Sequence, residues 1–184
     1  RQGWRLAPML LPYLVLVGIG ATAADHLPGR VIAQAAPAVW LDLHVLVSVA
    51  TYGLLTNAAV AGFAVFLQER ALKRRQPGAL ISMLPAVAEA ELLQIRLLVA
   101  TAVVLGLGLL TGAATQYAIS GTLIVLNHKT MFALLAFVII LAILVAHYRT
   151  GLRGRRAARV VLLAWLLLTL AYPGVKFVTD VLLA

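Results

Sequence analysis

Histidine is the residue type in this chain best suited to chemistry: four are present, cysteine is absent, and Asp and Glu together number six. His44, in LDLHVLVSVATY, and His128, in LNHKT, each stand near the start of a long apolar run. A neutral imidazole nitrogen is a good ligand for iron, and haem is a flat, largely apolar object that fits between helices. Two imidazoles at one membrane depth on different helices are therefore candidate axial ligands for the iron of a haem b. The competing reading is a pair of interfacial histidines meeting headgroups and water. Pattern alone favours that second reading, because sequence fixes neither facing nor distance.

His147, in AHYRT, lies at the far end of its run, where it could meet a ligand entering from that leaflet. A favourable contact with the helix C-terminus explains it equally well. His26, in DHLPGR, has a weaker claim as a loop residue. Asp42, two residues before His44, points to a different helical face and is expected to cap the helix start. The missing cysteines exclude disulfides, CxxC redox pairs and thiolate metal sites within the chain. No Walker loop, dinucleotide fingerprint, HExxH, GxSxG or close carboxylate pair occurs, so hydrolase and ATPase readings have no support.

The elements that must position these residues follow from composition. The 184 residues are 63% hydrophobic and 11% charged, with a mean hydropathy of +1.02. Soluble domains run at about 45–50% apolar and about 25% charged, and a soluble fold of this size could not hide so much apolar surface. A spanning helix needs about 20 apolar residues, and five runs meet that length: 6–24, 40–67, 92–112, 122–146 and 160–178. The expected fold is an all-α polytopic transmembrane bundle with five spans, residues 1–184 forming a single transmembrane domain. Between the second and third runs, residues 79–90 read as an interfacial amphipathic connection interrupted by Pro85. Residues 113–121, rich in Thr, Gln, Ser and Gly, read as a loop.

The formal charge of +9 sits in short blocks between apolar runs, a topology signal rather than a nucleic-acid-binding stripe. Alternating the five runs assigns every one of the 15 Lys and Arg except Arg30, Lys129 and Lys176 to one side. An excess of Lys and Arg in short loops marks the cytoplasmic face. The N-terminus is then inside, the C-terminus outside, and His44 and His128 both lie at outer helix ends. Ser48, Thr51, Tyr52, Thr56 and Asn57 make a polar stripe that either lines a cavity or joins helices. Gly106, Gly108 and Gly112 permit close helix approach, the last two at GxxxG-like spacing.

In this order the features resemble the cytochrome c assembly membrane family, which contains haem-handling proteins of the CcmC and CcsA type, and most closely its YpjD/HemX-like branch. The segments that carry the resemblance are LHVLVSVATYGLLTNAAVAGFAVFLQERALKRR and LNHKTMFALLAFVIILAILVAHYRTGLRGRRAARVVLLAWLLLTLAYPGVKF. The resemblance implies that His44 is an external haem ligand. It also implies a histidine late in the following helix, matched by His147, and a basic connection after it, matched by Gly151 to Arg156. The family's tryptophan-rich, Asp-containing external loop would fall before and across Asn127 to Thr130. Here that stretch holds no tryptophan, and His128 stands near the place of the acidic residue. Where larger members have a second external histidine, this chain has Asp180. The family pattern further implies upstream helices, making these residues the C-terminal portion of a longer domain.

The resulting expectation is a bacterial cytoplasmic (inner) membrane protein that binds or presents haem during cytochrome c maturation. His44, His128 and His147 are its cofactor contacts, and His44 and His128 the iron ligands. Membrane lipids, cytochrome c maturation proteins and apocytochrome c are the partners, and nucleic acid is not one. No covalent transformation needs a residue of this chain. Two other readings stay open: a scaffold or regulator of haem synthesis or complex assembly that binds no haem, and a small-molecule transporter built on the polar stripe.

Overall fold

Long unbroken helices account for nearly all of the described chain. The computed structural model describes residues 3–25, 38–75, 78–122 and 127–170. A 3-10 turn, Gly3–Leu6, leads into α1 (Ala7–Asp25), followed by α2 (Ala38–Arg74), the short α3 (Ala79–Met83), α4 (Val87–Ser120), α5 (His128–Thr150) and α6 (Gly154–Thr169). The fold is an all-α, polytopic membrane helix bundle. Among the described residues, three helices are long and apolar enough to cross a membrane: Val39–Arg74, Val87–Ser120 and Lys129–Thr150. They correspond to the second, third and fourth expected runs. The first run is helical over Ala7–Asp25, and the fifth is helical from Gly154 to Thr169. The end of the fifth run, with Tyr172, Pro173, Gly174 and Lys176, lies outside the described residues, as do His26, Arg30, Asp180 and residues 123–126.

Two boundaries differ from expectation. Residues 113–120 belong to α4 rather than to a loop, because their polar side chains are satisfied without leaving the helix. Thr115 Oγ1 donates to the Thr111 carbonyl at 2.8 Å, and Ser120 Oγ to the Gln116 carbonyl at 3.0 Å. The helix stops only at Gly121, whose φ of +68° is a left-handed cap that glycine adopts without strain. At the other junction, Pro85 separates α3 from α4, and α4 already starts at Val87 within the expected connection. The buried Pro85 carbonyl accepts a hydrogen bond from Gln68 Nε2, which explains why that amide is buried at the end of α2.

The packing is antiparallel and closely registered. On α2 and α4 the facing pairs are Gly62 with Gln94, Val47 with Gly108, and His44 with Gly112. Between Gly62 and His44 these pairs keep one register over about 27 Å of helix at 1.5 Å per residue. On α2 and α6 the pairs are Tyr52 with Leu168, Thr56 with Trp165, Gly62 with Ala158 and Phe66 with Arg155. α5 closes the ring, touching α4 where Phe137 lies 3.6 Å from a Cβ position on Gly106 and packing along α6. The centre is filled by Leu55, Leu98, Leu105, Ile140, Ile143 and Val161. Small residues, among them Ala58, Ala59, Gly62, Ala158 and Ala164, bring α2 and α6 together. In lipid, where apolar surface has no water to escape, such close van der Waals contact supplies the association energy. α1 joins at one end, with Leu6, Met9 and Leu10 against Ala61, Ala64 and Leu84.

Gly62 is the tightest point of this register. A Cβ there would lie 2.5 Å from Gln94 Nε2 and 3.5 Å from Ala158 Cα, whereas a Cβ on Gly53 meets nothing within 4 Å. Gly62→Val is expected to destabilise the bundle by about 1–3 kcal/mol through overpacking. Gly53→Ala is expected to be neutral or stabilising by up to about 1 kcal/mol through helix propensity. Thermal unfolding of both variants in one detergent checks the contrast.

Candidate functional site

His44 sits in the second turn of α2, half-buried against α4. Its Nδ1 is 3.2 Å from Thr111 Oγ1. That hydroxyl donates its single proton to the Gly108 carbonyl at 3.1 Å, so toward His44 it acts as acceptor. The neutral tautomer that fits this arrangement carries its proton on Nδ1, which leaves the Nε2 lone pair for another partner. The absent side chain of Gly112 makes room for the ring: a Cβ there would lie 3.0 Å from His44 Cε1 and 3.8 Å from Nε2. Gly108 does the same for Val47, at 3.4 Å. The GxxxG-like spacing is thus the floor on which the imidazole rests. An oriented imidazole with one nitrogen engaged by its surroundings fits a single axial position on a haem iron. Among the described residues, no group of three or more His, Cys, Asp or Glu forms a metal cluster.

His128 is the first residue of α5, and its side chain lies outside the described ones. The LNHKT segment has a local structural reason. Asn127 caps the helix, its Oδ1 accepting from Thr130 N at 2.9 Å and from Thr130 Oγ1 at 3.0 Å. Counting along the axes from the Gly106–Phe137 contact, the start of α5 lies about 5 Å beyond the level of Gly112, at the same end of the bundle as His44. The backbone therefore brings His44 and His128 to one end.

His147 lies at the opposite end. Its Nδ1 is 3.0 Å from the Leu152 carbonyl, to which it donates, tying the last turn of α5 to the α5–α6 turn. α6 begins two residues later at Gly154, whose N–H donates to Glu91 Oε1 at 2.7 Å. From Glu91 to Gly112 along α4 is about 30 Å. One haem cannot be shared between His44 and His147 across that length.

Asp42 is exposed and sits inside α2, past the cap position, because the helix starts at Ala38. The polar stripe divides. Ser48, Thr51 and Asn57 bond back to carbonyls of their own helix. Tyr52 donates to the Leu168 carbonyl at 2.6 Å, and Thr56 accepts from Trp165 Nε1 at 3.1 Å. Those two join α2 to α6, although Thr56 also borders an apolar recess of about 350 Å³ beside Tyr13 and Trp165. Trp165 packs edge-on to Tyr13, with centroids 5.8 Å apart. Thr111 was not marked by any sequence motif. Its only signal is its position inside the Gly108–Gly112 spacing.

Comparison with known proteins shows the family. Residues 5–183 match the family model described as Cytochrome C assembly protein. The chain is also 57% identical over 183 residues to a protein of Azospirillum brasilense named "Uncharacterized 28.8 kDa protein in nifR3-like 5′ region", covering 100% of this chain and 68% of that one. No solved structure matches.

The His44–Thr111 contact makes a prediction that needs no cofactor. In protein labelled with 15N at histidine and assigned with a His44→Gln variant, the His44 resonances should report a proton on Nδ1. Thr111→Val should move the population toward the Nε2-protonated tautomer. An identical tautomer in both proteins would show that Thr111 does not orient the ring.

Proposed function

Since the chain belongs to the cytochrome C assembly protein family, we propose that it binds or presents haem during cytochrome c maturation, with His44 as an axial ligand. The observation that carries this reading is the half-buried imidazole whose Nδ1 is engaged by Thr111 while Nε2 is left for a metal. His128, on a helix that starts at the same end, is the proposed second contact. His147, about 30 Å away along α4, would meet haem only on its way from the opposite leaflet. The YpjD/HemX-like branch is the proposed placement within the family, supported by LNHKT and YRTGLRGRR.

In this reading the chain holds and orients haem rather than transforming it. When bound, haem supplies the redox-active iron and the reactive vinyl groups; the residues here supply a nitrogen ligand, a fixed ring orientation and an apolar surround. A maturation partner and a reduced apocytochrome c complete the process. The proposed location is the bacterial cytoplasmic membrane. The basic ends of α2 and α5 and the basic start of α6 would face the cytoplasm, with His44 facing out. Residues 1–184 are proposed to form one transmembrane domain with five spans, the C-terminal portion of a longer one. The chain spans 68% of the length of the Azospirillum brasilense relative.

Protein purified with haem should show a Soret band with one haem per chain. His44→Ala should remove most of it, and His128→Ala should change the axial-ligand signature in the electron paramagnetic resonance spectrum. His147→Ala should leave the purified complex unchanged. Unaltered stoichiometry and spectra in the His44→Ala/His128→Ala double variant would overturn the assignment. A reproducible copurifying protein with no chromophore would favour a scaffold instead.

A further inference from the structure

The end of the bundle opposite His44 carries a second feature that haem binding does not use. A recess of about 620 Å³ opens where the C-terminal turn of α2, the end of α5 and the first turn of α6 meet. Lys73, Arg153, Arg155 and Arg156 line it, with Glu69 as its carboxylate. The Glu69 carboxylate lies against Gly154, so among the lining residues one negative charge stands against four positive ones. Among the described residues, none of the four cations is held in an ion pair. The Arg155 guanidinium is fixed over the Phe66 ring, 4.8 Å from its centroid, and its Nε is buried with no hydrogen-bond partner. Arg153, at the cap position of α6, makes no side-chain cap bond, and the first N–H of that helix is taken by Glu91 Oε1, so the guanidinium groups rather than the helix end supply the positive field.

We propose that this recess binds the phosphate of an anionic phospholipid headgroup, seated between Lys73 on α2 and Arg153 and Arg156 at the start of α6. Guanidinium groups present paired donors matched to phosphate oxygens. The recess lies at the ends of two membrane-crossing helices, where headgroups are the abundant phosphates, and basic pockets between such helices favour them. Its volume falls in the range of small-molecule sites, about 300–1,000 Å³. A lipid held there would clamp α2 to α6 at the end that Glu69, Glu91 and Gly154 already hold together.

The test uses the full chain in neutral detergent, with native mass spectrometry reading the first bound lipid. Phosphatidylglycerol should bind one per chain and phosphatidylcholine should not. Arg153 and Arg156 are exposed, so Arg153→Gln/Arg156→Gln should fold normally. It should lower the affinity for phosphatidylglycerol by about tenfold or more, because two charge-assisted guanidinium–phosphate contacts are lost. Arg74→Gln/Arg75→Gln removes the same charge from α2 and its following turn outside the recess, where solvent screens it and no direct phosphate contact is lost, and should lower it by less than about threefold. Equal losses in the two double variants would mean diffuse surface attraction and would overturn the site. Full competition by millimolar inorganic phosphate would assign the recess to a free anion rather than a lipid.

Discussion

The close antiparallel contact of α2 with α4 is the constraint on which both ends of the molecule depend. It is made possible where side chains are missing: Gly62 admits the Gln94 amide, Gly108 admits Val47, and Gly112 admits the His44 ring. In lipid the helices gain nothing from hiding apolar surface from water, so association rests on packing and on a few interhelical hydrogen bonds. A shift of one turn, about 5.4 Å, would remove His44 from Thr111 and Gly62 from Gln94 together. Register and ring orientation are one property.

The same rigid element fixes the opposite end. α2 is antiparallel to α6 as well, so Glu69 at its far end reaches Gly154, while Glu91 of α4 accepts the Gly154 N–H. Gly154 has a φ of +65°, a conformation suited to glycine at this crowded junction. Two carboxylates against one helix start, beside four unpaired cations, make that end as electrostatically defined as the histidine end is sterically defined. The roughly 30 Å between them separates an imidazole site from a basic recess.

Much of the fold was legible because its signals are local. Three apolar runs of sufficient length became the three long helices, and the Gly108–Gly112 spacing marked a helix contact that exists. Thr115, Gln116 and Ser120 misled because polarity suggests a loop, while hydroxyls that bond back to their own helix leave it intact. Asp42 misled because the helix begins before it. Asn127, placed in the sequence only as a bound of the external loop, is the cap that gives LNHKT its form. The partner of His44 was not legible at all. Thr111 is 67 positions away in sequence, and only the antiparallel register decides that it, rather than a residue one turn along, meets the ring. The Glu69–Gly154–Glu91 junction escaped for the same reason, since it joins three segments with no shared motif.

Disulfide trapping reads this register directly, and the absence of native cysteine makes every engineered pair unambiguous. With Val47→Cys and Gly108→Cys, whose Cβ position lies 3.4 Å from the Val47 side chain, mild oxidation in native membranes should give rapid intramolecular cross-linking. Val47→Cys with Val104→Cys, one turn away, should cross-link far more slowly. Faster trapping of the displaced pair would contradict the account, because His44 and Thr111 would then not meet.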